Sequence, residues 1–316
     1  MEAVSQIRVP FETFACRPEY WDTGKGRFEA DVVAAAEGLV QGGASEVIVL
    51  DNHGSGNPVN VSAERLPAAA RLETWHVFDL AAKGVDAMFQ LGYHARGGSS
   101  GFVSHTYVPG LRLRVGDEPI SESHGRAWAA RVPLAGIVGN DVHERQLGSL
   151  AGTPYLVVQR SIRPDLAEPV FGPEEGLDAI RSFAHAALRD VADAPTPAPP
   201  ADTVLAASMP NGADQFESMV AAGWRRTGEV EYAADLAEWA DARPLIAAAM
   251  NAAIAPLVPY FDGATSAAAA AALDPARVAT FSTLMERWCG TIHPEWYTSA
   301  ADELGLLTDP EPAPGR

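Results

Sequence analysis

Residues 46–54 read Glu46-Val47-Ile48-Val49-Leu50-Asp51-Asn52-His53-Gly54. A short apolar run rich in β-branched side chains suits a strand buried on both faces, as in parallel sheets covered by helices. The run stops on Asp, Asn, His and Gly. In open α/β sheets ligands bind outside the carboxyl ends of the strands, so His53 stands at a candidate site. Upstream, Phe28, Val32, Ala36, Leu39 and Val40 recur at helical spacing and predict a helix over 27–41. Gly42-Gly43 supply its stop. A helix followed by a buried strand is the second half of a βαβ unit and requires a preceding parallel strand. Residues 8–26, with Pro10, Pro18 and Gly24, are expected to be irregular.

A second buried strand is predicted over 86–91. The stretch that leaves it, LGYHARGGSSGFVSHT at 91–106, places His94 and His105 on either side of a Gly/Ser-rich segment. Gly97, Gly98 and Gly101 permit close approach of backbone to a ligand. Tyr107-Val108 is expected to start another extended run. Glu122 follows Arg112-Leu113-Arg114-Val115 and opens a predicted helix to Arg131, with Ser121 as N-cap. A carboxylate there also complements the helix dipole, so Glu122 has a structural reading beside the functional one. His53, His94 and Glu122 are expected to converge, each following a strand end of one parallel sheet. Two imidazoles and a carboxylate suit a hydrolytic zinc site. His76, His124 and His143 are read as structural. Arg96 suits either the orientation of a carboxylate or a structural salt bridge.

Further along, strands are predicted at 134–138, 155–159, 203–208 and 228–232. A helix runs from Pro173 to about Val191, and helices fill 235–255. The PTPAPP run at 195–200 reads as a stiff surface loop. The fold class expected is α/β: a mainly parallel sheet flanked by helices, a second smaller α/β domain, and a helical C-terminal extension. The divisions expected are a metal-binding α/β domain over 1–158, the second domain over 159–255 and the extension over 256–316. A net charge of −18 argues against nucleic acid and anionic membrane surfaces as partners. Two cysteines, Cys16 and Cys289, build no disulfide framework and fit a reducing cytoplasm.

The motifs DNHG at 51–54, GYHARGGSSGFVSHT at 92–106, DEPISE at 117–122, VPLAGIVGND at 132–141 and VEYAADLAEW at 230–239 stand in a telling order. In that order and spacing the chain resembles the D-aminopeptidase family of dinuclear zinc peptidases, over roughly residues 1–255. The resemblance implies an aminopeptidase for short peptides, possibly D-configured, with two Zn2+ ions and a homo-oligomeric assembly. It implies that Glu2 and His94 bind one zinc, that His53 and Glu122 bind the other, and that His105 is the catalytic histidine outside the metal shell. The family opens with a strand ending in Asp-Met-Glu-Gly, whose Asp bridges the metals. Here Met1-Glu2-Ala3 stands at that motif, without strand or Asp, which is the expectation if an internal Met was taken as the start. Two zincs per chain are then expected once the Asp is restored. The alternatives are another metal-dependent amide hydrolase on this scaffold, or a non-catalytic binding or assembly protein.

Overall fold

The computed structural model describes residues 4–10, 18–51, 61–73, 80–189, 191–200, 204–209 and 216–254. Glu2, His53, His76 and the expected extension 256–316 lie outside the described residues. The regular elements, in chain order, are α1 (Pro18–Gln41), β1 (Val47–Leu50), β2 (Ala70–Glu73), β3 (Met88–Tyr93), β4 (Arg112–Val115) and β5 (Glu118–Ile120). There follow α2 (Glu122–Ala130), β6 (Leu134–Asn140), α3 (Asp141–Glu144), β7 (Tyr155–Arg163), β8 (Leu166–Pro169) and α4 (Pro173–Ala187). The last are β9 (Val204–Ser208), α5 (Phe216–Ala221), β10 (Arg225–Arg226), β11 (Glu231–Asp235) and α6 (Ala242–Ile254).

The mixed α/β class with parallel strands flanked by helices is the one expected. β3, β6 and β7 run parallel, and β8 closes their edge antiparallel. β1 and β2 form a separate parallel pair. The remaining strands make an antiparallel sheet in the order β10-β11-β9-β4-β5. This second sheet joins two distant stretches, because β4 pairs with β9. Two expectations are corrected here. Glu122 follows a strand of the antiparallel sheet, not of the parallel one. Among the described residues β1 and β3 are not paired, so the two strands that precede His53 and His94 in the sequence do not share one hydrogen-bonded ladder. Residue 158, the expected division, falls inside β7.

α1 begins at Pro18 rather than at residue 27. Proline is accommodated in a first turn, and Gly24 and Gly26 each cost a helix only about 1 kcal/mol. The buried face of Phe28, Val32, Ala35 and Ala36 offsets that cost. The helix ends as expected, with Gly43 at φ 108° and Ala44 N–H bonded to Leu39 O at 3.0 Å. Against it lies α4. Gly38 makes this crossing possible, because a Cβ there would run into the Arg181 carbonyl of α4. The segment 4–10 is pinned from several sides. Val4, Ile7 and Val9 are buried with Phe28, Val32 and Val47, and Gln159 Nε2 donates to Ile7 O at 2.9 Å.

α2 lies between two cores. Trp128, Ala129 and Ala130 pack with the antiparallel sheet and α6, beside Leu113, Ile120, Leu205, Tyr232 and Trp239. Ala127 packs on the other side with Leu134, Ile137, Leu147 and Leu150. The Trp128 and Trp239 rings meet edge-on, with centroids 4.9 Å apart.

Asp31 gives the fold a pH dependence. Its carboxylate accepts from the Ser5 N–H and the Ser5 hydroxyl, both at 2.7 Å. Burial outweighs these bonds and raises its pKa from 3.8 to about 6. As pH rises the unfolded chain therefore loses this proton first. The group's contribution to stability is fully present below about pH 4 and is lost by about pH 6. Over that window the wild type should lose up to about 3 kcal/mol relative to D31N. Urea titrations of the two proteins across the window check this, and parallel stability curves would refute it.

Candidate metal centre

The centre is built on the loop that leaves β3. His94 follows the last residue of that strand, and the chain then turns back so that His105 N–H donates to Ala95 O at 3.2 Å. The loop is braced along its length. Gly97 N–H donates to Thr106 Oγ1 at 3.0 Å, Ser104 Oγ to Ser99 O at 2.6 Å, and Phe102 N–H to Ser161 Oγ at 3.1 Å. Phe102 is fully buried. Gly101 is required by space, since a Cβ there would overlap that of Ala95. The result is a stacked pair of imidazoles: the His94 and His105 ring centroids are 4.1 Å apart, with 22° between the planes.

Glu122, the first residue of α2, completes the group. Ligand atoms of His94, His105 and Glu122 all lie within 4.8 Å of one another. His94 Nδ1 donates to the Ala95 carbonyl at 3.0 Å, and His105 Nδ1 donates to that of Val103 at 2.8 Å. A carbonyl can only accept, so each neutral ring carries its lone pair on Nε2. This is the pattern of metal-binding histidines, whose second nitrogen is tied to a carbonyl or carboxylate. Two imidazole nitrogens and a carboxylate oxygen are donors that zinc accepts, so the residues present fit the metal.

Strain surrounds His105. Val103 has φ 45° and Tyr107 φ 62°, a region unfavourable for β-branched and aromatic residues. Tyr107 is therefore not the start of an extended run. Its turned peptide sends its N–H to Glu122 Oε1 at 2.7 Å. The other carboxylate oxygen accepts from Arg126 Nη2 at 2.6 Å. Arg126 is partly buried, with its guanidinium carbon 5.9 Å from the ring centroids of both Tyr93 and Tyr107. Burial by itself would lower the Arg126 pKa, but Tyr93, Glu122 and Tyr107 outweigh it and raise it. Burial pushes both tyrosines up as well, so their hydroxyls stay neutral.

The structure thus brings together His94, His105 and Glu122. The proposed ligands Glu2 and His53 are not described. His124 and His143 join a separate buried network. Ser121 Oγ lies 2.9 Å from His124 Nδ1 and 3.1 Å from His143 Nε2. His124 Nε2 donates to Leu147 O, and His143 Nδ1 to the Tyr155 hydroxyl. Burial lowers the His124 pKa to about 4 and that of His143 well below its usual value. Arg126 and Tyr107 escaped the reading of the sequence. Arg126 had a signal, because a Glu four residues ahead of an Arg on a helix forms an ion pair; Tyr107 had none.

A model of the D-aminopeptidase family matches residues 1–248. The chain belongs to the D-aminopeptidase family. A D-aminopeptidase of Bacillus subtilis (strain 168) is 30% identical over 157 residues, covering 45% of this chain. The match spans about half of that relative, 54% of its length. Among solved structures, a zinc-dependent D-aminopeptidase of Bacillus subtilis, described as a self-compartmentalizing protease, superposes with a TM-score of 0.70. It is 21% identical, and the superposition covers 80% of this chain and 95% of that one.

The carbonyl bonds make a spectroscopic prediction. In the metal-free chain the neutral His94 and His105 rings should both be Nδ1–H tautomers. Long-range proton–nitrogen correlation spectra distinguish the two forms. An Nε2–H signature for either ring would contradict the geometry described.

Proposed function

We propose that this chain is a zinc-dependent aminopeptidase that hydrolyses short peptides, including peptides of D-residues. One observation carries the reading: in a chain of this family, a histidine and a carboxylate suited to a metal, His94 and Glu122, converge with a second histidine, His105, their ligand atoms within 4.8 Å of one another. His94 and Glu122 are the proposed ligands, with Glu2 and His53 completing a set for two ions. Zinc bound there would polarise the scissile carbonyl and lower the pKa of water.

His105 is the proposed general base. Val103 O fixes its Nδ1 proton, leaving Nε2 to take a proton from the attacking water and return it to the departing amine. The stacked His94 ring holds the plane of His105. The braced loop gives the base a set position, on which such a transfer depends. Homo-oligomeric assembly and a cytoplasmic location are part of the proposal. They are supported by the self-compartmentalizing description of the structural neighbour and by the sparse cysteines.

Three variants separate the roles. H94A and E122A should lose zinc, and turnover with it. H105A should keep its zinc and lose roughly 10²–10⁴-fold in turnover. Metal analysis and hydrolysis of short peptides with D- or L-residues at the N-terminus give both readouts. Zinc lost from H105A would make that histidine a ligand and move the base elsewhere.

A further inference from the structure

We infer that Arg126 is a positioning residue for the metal centre, setting the Glu122 carboxylate in the orientation that binds the ion. The inference rests on the proposed zinc site and adds a residue to it. Glu122 is the first residue of α2 and has a side chain with three rotatable bonds. Its carboxylate is nevertheless held at both ends, by the Tyr107 N–H on Oε1 and by Arg126 Nη2 on Oε2. Bonds on opposite oxygens fix the plane of the group, as one bond would not. An ionised carboxylate has about four lone-pair positions. These bonds set the carboxylate so that its oxygen and the ligand atoms of His94 and His105 lie within 4.8 Å of one another.

The arginine is itself prevented from moving. Its side chain is 14% exposed, it is ion-paired to Glu122, and the Tyr93 and Tyr107 rings stand at equal distance from it. The Tyr107 side chain packs against α2 at Gly125, where a Cβ would clash with the tyrosine hydroxyl. Tyr93 is the residue before His94, and Tyr107 lies two after His105. The same arginine thus touches the segment that carries each histidine and the carboxylate that faces them.

Two effects of removing Arg126 oppose each other. A positive charge beside the site repels a divalent cation, so its loss would tighten binding. Loss of the fork releases Glu122, and removing the partner of a metal ligand costs typically 10–100-fold in affinity. The geometry assigns the larger effect to orientation, since both carboxylate oxygens are engaged, one by Tyr107 and the other by Arg126.

The test is competition for zinc against a chromophoric chelator, using wild type, R126M and R126K, with the melting temperature of each metal-free protein measured in parallel. R126M should bind zinc about 10–100-fold more weakly. R126K, which keeps the charge without the planar fork, should recover only part of that loss. A merely structural arginine would lower the metal-free melting temperature and leave the zinc affinity of the folded protein unchanged, and that result overturns the inference. Tighter binding by R126M would overturn it too, by showing that charge repulsion dominates. If R126M does not fold, R126K decides: several-fold weaker binding supports the inference and wild-type affinity refutes it. A wild-type chain that takes up no zinc overturns the proposed function itself, whereas wild-type binding with an unchanged variant overturns only the role of Arg126.

Discussion

A carboxylate taken out of water must find partners, and Glu122 finds them on two sides. That requirement organises the centre. The Tyr107 N–H reaches Glu122 only because Tyr107 adopts a left-handed backbone, and a non-glycine residue in that region costs on the order of 1–3 kcal/mol. The charge-assisted bond it makes possible contributes a similar amount, about 1.5–3 kcal/mol. The strained turn is thus held by the acid it serves. Arg126 closes the other side, and α2 places both residues on one face.

The neighbouring network answers the same requirement without charge. Ser121, His124, His143, Tyr155 and Asn140 are joined across α2, α3, β6 and β7, and the ring nitrogens that face a carbonyl or phenol are donors. Leaving any of these buried groups without a partner would cost roughly 1–3 kcal/mol. His124, two residues from Glu122, and His143 therefore act as mortar. Their low pKa values follow from burial first, and neutral rings are what the bonds require.

Much of this was legible in the sequence. The apolar runs at β1 and β3, the glycine stop of α1, the proline start of α4 and the Ser121 cap are local signals, and the chain obeys them. His94 and Glu122 were readable because each follows a strand end. What was not legible is non-local. The pairing of β4 with β9 joins segments with no shared pattern, so the origin of Glu122 in an antiparallel sheet had no local mark. The early start of α1 was hidden by two glycines whose cost tertiary packing offsets. The side chain of Tyr107 gives no hint of its backbone, since its conformation is imposed by what its peptide and its ring must meet. The roles of Glu2 and His53 fall on residues that the structure does not describe.

The placement of α2 between two cores has a consequence for how damage spreads. One flank of the helix answers to Leu113, Tyr232 and Trp239, the other to Ile137 and Leu150. The helix is a shared axle, and its first turn carries Glu122. A repacking on either side that rotates it by a few degrees moves the carboxylate relative to His94 and His105, which hang from a different strand. Tolerance to substitution in both cores is therefore set by the alignment of one side chain as well as by the stability of the fold. On the proposed role of Glu122, ordinary apolar positions far from the centre inherit a functional constraint that their chemistry would not suggest.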